Sequence, residues 1–538
     1  MEMRPKSSAG IPAWVLILAL LTLTVGVGGR DLWTPDEPRE AALVQGMGEG
    51  GSWLVPSLGG RPFVEKPPLY YWAGWVMNRS LGALVGTATA VRALSALAAA
   101  LTLLATWLGV RACWGKERGK AAVLILATTI SFFRAGHWII IDPLLMFLVA
   151  AAVVSLFLGL AGDRPGLILG AYLAAGSAFL VKGTVAWALL VFPWGASFFL
   201  YRRQAWRRRR LHLLGAGFLA LGIPLAWMRL FYLEAGAELW KEWFLDNQVG
   251  RFTGTAAHLG HVKGPLYYLW LLPLLLLPWT PALFGGIRRR AREFENEMGG
   301  NWLLVALAWG LGGLIVLSVS GTKREVYLYP LLPAFAAVMA WEMGRLAPWS
   351  RVALRAIAAV LVGALAVSSF LLVGEKDGTV SVGLGVNFAA MAAAAVGIYS
   401  YRRLRGNIAA QTGAAAALFL LAAVLTAAPV LNRVWSYRPM VEKLAAAVPP
   451  EARGRVCVWG EDEASQGVFF VYGGIVLPGV GEPERIARIL SGEDPEFELI
   501  VVPRMEEFEE ENPDPPPWKT LARARKGPRR MFHLISGN

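Results

Sequence analysis

Apolar stretches of roughly 17 to 25 residues recur along most of this chain, each long enough to cross ~30 Å of hydrocarbon as a helix. They lie near 11–29, 84–110, 119–135, 138–161, 166–181, 184–201, 211–233, 264–286, 301–320, 326–345, 351–374, 383–401 and 408–428. Lys182 interrupts the long apolar run between 166 and 201. Only 17% of the 538 residues are charged and 56% are hydrophobic, whereas soluble domains carry about 25% charge. The pattern predicts a polytopic α-helical membrane protein with about thirteen transmembrane helices.

A net charge of +14 would suit a nucleic-acid binder, but the distribution of the basic residues excludes that reading. With a cytoplasmic N-terminus and alternating spans, the inward segments hold 23 lysines and arginines and the longer outward loops hold 13. That is the positive-inside pattern, and the run Arg207-Arg208-Arg209-Arg210 reads as a topology determinant. The first apolar stretch is longer than a signal-peptide core and no small-x-small cleavage site follows, so an uncleaved helix is expected. Cys113 and Cys457 fall on opposite sides of the membrane in this topology, so no disulfide is expected.

Two outward loops, 30–83 and 234–263, are much longer than the rest and rich in Trp, Tyr, Pro and charge, as functional loops tend to be. After Pro429 the charge rises and the apolar blocks shrink to strand length. Residues 1–429 therefore read as the transmembrane part, and 430–538 as a small C-terminal α/β domain outside the membrane. Its expected strands are Arg455–Gly460, Val468–Gly473, Glu498–Pro503 and Met531–Ser536, with helices at Tyr437–Val448 and Pro483–Leu490. The acidic run Glu506 to Glu511 reads as a solvated face. Trp459-Gly460-Glu461-Asp462 leads into no glycine-rich turn of the kind that cradles a nucleotide phosphate.

The first long loop opens with Asp36 and Glu37 between Pro35 and Pro38, followed by Arg39, directly after a span. Further on, Glu65 and Lys66 precede Pro67-Pro68 and a row of aromatics, which suits a fixed cation at headgroup depth. Polar groups at membrane depth cost ~2.5–3.5 kcal/mol each and tend to mark a functional interior. Asp142, Lys182 and Lys323 sit at the outward ends of spans, on the side of both long loops. Gathered with Asp36, Lys66 and Arg251, they form a mixture of cations and carboxylates, although each one singly could be a snorkelling side chain.

These segments resemble the first periplasmic loop of GT-C glycosyltransferases that use polyprenyl-phosphate-linked sugars. Within that superfamily the chain resembles the 4-amino-4-deoxy-L-arabinose lipid A transferases and the bacterial protein mannosyltransferase-like proteins. Trp33, Asp36, Glu37 and Arg39 match one motif, and Phe63, Glu65, Lys66 and Pro67 another. In order along the chain follow Asp142-Pro143, Lys182-Gly183, Asn247 through Arg251-Phe252, His261, Pro265, Tyr267-Tyr268, Pro278-Trp279 and Lys323 with Tyr327 and Pro330. The likeness covers about 10–430. Asp36-Glu37-Pro38-Arg39-Glu40 and Lys323-Arg324-Glu325 depart from the Asp-Glu-Thr-Arg-Tyr and Lys-Gly-Lys of the lipid A branch, which leaves sugar and acceptor open.

The resemblance implies transfer of a sugar from a polyprenyl-phosphate donor to a lipid, protein or polysaccharide acceptor at the outer face of a bacterial cytoplasmic membrane. It implies Asp36, Glu37 and Asp142 as catalytic residues. Lys66, Arg251, Lys182, Tyr327 and Arg39 would hold the donor phosphate, with Glu65, His261 and Lys323 as further candidates. Cations would stabilise the charge that develops on the departing phosphate, and a carboxylate would take the acceptor proton or support the sugar cation. No cofactor and no catalytic metal are expected, although His258 and His261 have a ligand-like spacing. A transporter or flippase is the main rival, but the inverted repeats and matched helix breaks it would carry are not visible.

Overall fold

The computed structural model describes residues 10–48, 50–203, 210–255, 261–285, 297–371, 396–404, 406–527 and 530–537. The apolar blocks form helices, and the early part of the chain contains α1 (Ala13–Leu21), α2 (Glu37–Gly46), the β1–β2 hairpin (Ser57–Leu58 and Arg61–Pro62), α3 (Leu69–Val85) and α4 (Thr87–Trp114). Then follow α5 (Lys116–Ala127), α6 (Ile130–His137), α7 (Asp142–Ala161), α8 (Pro165–Lys182) and α9 (Thr184–Leu200). Beyond them lie helices Arg210–Lys241, Glu297–Val319, Leu332–Glu342, Pro348–Leu371 and Ile408–Trp435. Among the described residues six helices are long and apolar enough to cross a membrane, or seven if α5 and α6, which meet at 68°, count as one broken span. The chain is a multi-pass membrane protein.

Several expected spans are interrupted, and proline is a common cause. The block at 264–286 is divided into Tyr267–Leu275 and Thr280–Phe284 around Pro278, and the block at 326–345 begins as a tight 3₁₀ turn, Glu325–Leu331, that contains Pro330. Proline has no backbone N–H to donate and clashes with the preceding turn. The loop expected at 30–83 is largely structured, because α2, the hairpin and all but the end of α3 lie within it. Asn78 and Arg79 break the apolar pattern of α3, so its helical course was not legible as a block. Most of the expected span at 383–401, residues 207–209 of the arginine run and His258 lie outside the described residues.

At the centre α7 packs against α4, α8 and α9, and Glu297–Val319 packs against α9. Small residues let backbones approach closely, as membrane helices require. A Cβ on Gly176 of α8 would come within 3.0 Å of the Ala220 carbonyl oxygen on Arg210–Lys241. On the outer surface Phe218 is 77% exposed and Trp270 80%, with Leu214 and Leu225 also uncovered. Such a surface is stable only against lipid.

The tail carries a five-stranded sheet in the order β4 (Gly479–Val480), β3 (Val456–Trp459), β5 (Leu499–Val502), β7 (Arg530–Gly537), β6 (Trp518–Lys526). The first three strands are parallel, and β7 runs antiparallel to both of its neighbours, β5 and β6. Strand alternation gives the sheet two apolar faces. Val456, Val458, Leu499 and Val501 pack on one side with helix Arg438–Ala446, while Cys457, Ile500 and Val502 pack on the other with Pro483–Leu490. Val468–Gly473, expected as a strand, is helical instead. Asp462 caps the helix Glu463–Val468 and a wider turn continues it through Gly473. A short apolar run has no period of its own, and here the cap decides.

Candidate active site

Asp142 is the first residue of α7 and Lys182 the last of α8. The two helices run back to back, so these ends meet on one side of the bundle and the side chains form a buried ion pair. Each charge also suits its helix end, the carboxylate at an N-terminus and the ammonium at a C-terminus. Tyr327, from the 3₁₀ turn, lies under Lys182, with Nζ 4.1 Å from the ring centroid. Gly183 breaks α8 from α9 at φ 69°, and a Cβ there would collide with Oε1 of Gln248. Its absence lets Gln248 accept a hydrogen bond from the Thr184 backbone N–H at 3.1 Å.

The second long connection continues the helix Arg210–Lys241 as a wide turn, Glu242–Gly250, which carries Asn247 and Gln248 and leads straight to Arg251. Backbone bonds fix this segment to the turn after Glu297–Val319. Gly321 N–H donates to the Phe252 carbonyl at 2.7 Å, and Lys323 N–H to the His261 carbonyl at 2.9 Å. Arg251 then reaches Glu65 of the first connection, and Lys66 Nζ donates to the other Glu65 oxygen at 3.1 Å. Burial alone would raise the Glu65 pKa, but Lys66, Arg39 and Arg251 hold it well below the usual carboxylate range. Lys66 is pushed down to about 8 by burial against the pull of Glu65, with Arg251 and Lys182 adding repulsion.

These groups surround one cavity of about 290 Å³ lined by Lys66, Lys182, Asn247, Gln248, Arg251, Ser320, Thr322 and Tyr327, with Leu145, Leu189 and Phe252 among its apolar walls. Its hydrogen-bonding capacity is not used up. Among the described residues Lys66 Nζ and Lys182 Nζ each make one hydrogen bond, and the buried Arg251 Nε and Asn247 Oδ1 have no partner. Three cations with spare donors in a largely apolar cavity have the chemistry to suit an oxyanion that carries a hydrophobic group.

Asp36 and Glu37 stand at the start of α2 and point into different surroundings. Arg324 grips Asp36 with both prongs, at 2.9 and 2.6 Å, and Arg39 adds a contact at 3.2 Å. Although burial would raise it, the Asp36 pKa is lowered by Arg324, Arg39 and Arg134. Glu37 is fully buried and accepts six hydrogen bonds: two from Arg30, two from Arg92, and one each from the Trp33 and Ile139 backbone N–H groups. None of Asp36, Glu37 and Asp142 lines the cavity. What separates Glu37 from the other two is that both its oxygens are committed to six donors in the interior, the surroundings of a bracing residue.

Of the other candidates, Arg39 is spent on Asp36, Glu40 and Glu463 and does not line the cavity. Lys323 donates to the carbonyls of Lys263 and Ser320, and His261 is an exposed residue whose backbone carbonyl takes the Lys323 bond. Neither side chain lines the cavity. The residues that sequence reasoning passed over are Arg324, Gln248 and the buried pair Arg30 and Arg92. Arg92 did leave a signal, a charge inside an apolar block, whereas the role of Arg324 is visible only in three dimensions.

The fold defined by this bundle and its tail is the GT-C fold. Two crystal structures share it: ArnT from Cupriavidus metallidurans bound to undecaprenyl phosphate, at TM-score 0.73, 22% identity and coverage of 97% of this chain and 98% of that one, and its apo state, at 0.72 and 21%, with 97% of each chain covered. By sequence, residues 65–227 match the dolichyl-phosphate-mannose-protein mannosyltransferase family. The undecaprenyl phosphate-alpha-4-amino-4-deoxy-L-arabinose arabinosyl transferase of Edwardsiella ictaluri is 31% identical over 379 residues, 68% of this chain and 65% of the relative. That of Pseudomonas paraeruginosa is 31% identical over 344 residues, 61% of this chain and 58% of the relative. The resemblance read from the motifs is thus shared by sequence and fold, and the chain spans a little under two thirds of the length of these curated relatives.

Proposed function

We propose that this protein is a glycosyltransferase that moves a sugar from an undecaprenyl-phosphate-type donor to an acceptor at the outer face of the bacterial inner membrane. The observation that carries this reading is the cavity in which Lys66, Lys182, Arg251 and Tyr327, drawn from four separate segments, meet with donors to spare. The donor phosphate sits among them with its polyprenyl chain along the apolar wall. As the sugar–phosphate bond breaks, the electron pair and the developing charge pass to the phosphate oxygen, which these cations stabilise. The acceptor oxygen then bonds to the sugar carbon.

Asp36, already gripped by Arg324 and Arg39, is a weak base. That favours an acceptor group that is nucleophilic without proton removal, such as a phosphate on lipid A, over a neutral protein or polysaccharide hydroxyl. The aminoarabinose named for the relatives is the first sugar to test. No metal is needed in this scheme, since each carboxylate near the cavity is already paired with a cation. Thirteen spans, a cytoplasmic N-terminus, and division into a transmembrane part (1–429) and an outward α/β domain (430–538) complete the reading, supported by the positive-inside count.

Purified protein in proteoliposomes with radiolabelled undecaprenyl-phosphate-aminoarabinose and lipid A should release undecaprenyl phosphate and label the lipid. Binding of the donor with no release of undecaprenyl phosphate, and appearance of the intact donor in the opposite leaflet, would identify a flippase instead.

A further inference from the structure

Arg324 occupies a pinned position between two long elements. Before it, the Lys323 ammonium donates to the Lys263 carbonyl at 3.0 Å and its backbone N–H to His261. Its own carbonyl accepts from the Tyr268 hydroxyl at 3.2 Å, and the next residue, Glu325, pairs with Arg134 at 3.0 Å. The guanidinium therefore has a fixed origin, and among the described residues the one carboxylate it binds is Asp36. A planar fork on a planar carboxylate fixes orientation as well as distance, which a lysine cannot reproduce. Arg324 keeps partial access to solvent, at 27% of its side chain, while the Asp36 side chain is 3% exposed. Neither Arg324 nor Asp36 is among the residues that line the cavity of the other cations.

We propose that Arg324 is a positioning residue for the transfer reaction, acting through Asp36, which it holds in one orientation and in the carboxylate form, and not on the donor. This rests on the glycosyltransferase reading above and on Asp36 as its reacting-side carboxylate. The charged groups that face Asp36 are Arg324, Arg39 and Arg134, opposed by Glu40, with Tyr329 also close. Arg324 alone engages both Asp36 oxygens, so it dominates the set. Without it, burial and Glu40 would be opposed only by Arg39 and Arg134, and the Asp36 pKa would rise. Because the Asp36 pKa lies below its ordinary value, the carboxylate form is present above that ordinary value and is lost as pH falls beneath it. Removing Arg324 should move that loss to higher pH.

The test is the pH profile of steady-state transfer by full-length wild type, Arg324→Ala and Arg324→Lys in proteoliposomes. Arg324→Ala is expected to lower kcat roughly 10- to 100-fold near neutrality, leave the donor KM within about twofold, and shift the acid limb upward by about one pH unit. Arg324→Lys keeps the charge without the fork, so it should recover the acid limb but only part of kcat. Should Arg324→Ala not fold, as judged by loss of undecaprenyl phosphate binding, the lysine variant decides through its kcat. An unshifted acid limb in the alanine variant, a lysine variant with wild-type kcat, or a raised donor KM at unchanged kcat would overturn the role of Arg324 alone. Absence of transfer by the wild type would overturn the reading beneath it.

Discussion

Two clusters of charge are anchored in the first long connection, one on Glu37 and one on Lys66, and they are built on opposite terms. Around Glu37 every oxygen is engaged, and the opposing Arg30 and Arg92 spend their remaining donors on the carbonyls of Val27, Arg30, Asp31 and His137. Around Lys66 two carboxylates face three cations, and buried atoms of Arg251 and Asn247 are left without partners among the described residues. Buried charge is tolerated when it is saturated and is costly when it is not. The first cluster is therefore architecture that fastens α2 to α4 and to the segment after α6. The second leaves Arg251 Nε and spare lysine protons that a bound anion would engage, and Asn247 Oδ1 as an acceptor for a hydroxyl or amine.

Substitutions should separate the two clusters cleanly. The largest effect is expected for Glu37→Gln, which strands Arg30 and Arg92 in the interior. A loss of about 3–5 kcal/mol in stability should appear as poor expression or early thermal unfolding in detergent. A folded Glu37→Gln protein with normal thermal stability and reduced turnover would erase the contrast. Asp36→Asn should cost less stability than Glu37→Gln, because Arg324 keeps access to solvent, while turnover falls about a hundredfold or more. Near-normal turnover at equal expression would remove Asp36 from the site.

A smaller effect concerns pH. Lys66, at about 8, is protonated below that pH and neutral above it. Affinity for undecaprenyl phosphate should therefore decline as pH rises through 8, and Lys66→Arg should flatten the decline. A wild-type profile that is level from pH 7 to 9.5 would show that Lys66 does not titrate in this range. The smallest effect is expected for Glu463→Gln in the tail. Glu463 holds Arg39 at 2.8 Å while 44% exposed, so its loss should cost only about 0.2–1 kcal/mol. A two- to fivefold fall in turnover would show that the tail reaches the site through Arg39, and no change would confine it to structure.

Much of this was legible before the fold was known, for identifiable reasons. Asp142 and Lys182 could be placed because each interrupts or ends an apolar block, and a charge at membrane depth announces itself. That Lys66 and Arg251 converge was implied by the motif order, although their shared partner Glu65 was named without a role for the pair. The motif put Asp36 first and Glu37 beside it as catalytic, but their different surroundings were not legible, since adjacent residues at a helix start face different directions and only the third dimension says which one meets Arg30 and Arg92. Arg324 was hidden by its neighbour. Beside Lys323 at the end of a span it reads as one more surface cation, and nothing local points to a carboxylate 288 positions away. In the tail, β3, β5 and β7 were readable from their apolar runs, while β6, with Lys519, Arg523 and Arg525 on an edge strand, carries no such run.

The central claim is that the unsaturated cluster is a phosphate receptor, and direct binding tests it. Undecaprenyl phosphate should be titrated into purified wild type, Lys66→Ala and Arg251→Ala in the same detergent, with farnesol as the uncharged control. Loss of a charge-assisted hydrogen bond costs about 1.5–3 kcal/mol, so each variant should bind roughly ten- to a hundredfold more weakly while the control binds all three alike. Equal affinity for undecaprenyl phosphate in wild type and both variants would contradict the account.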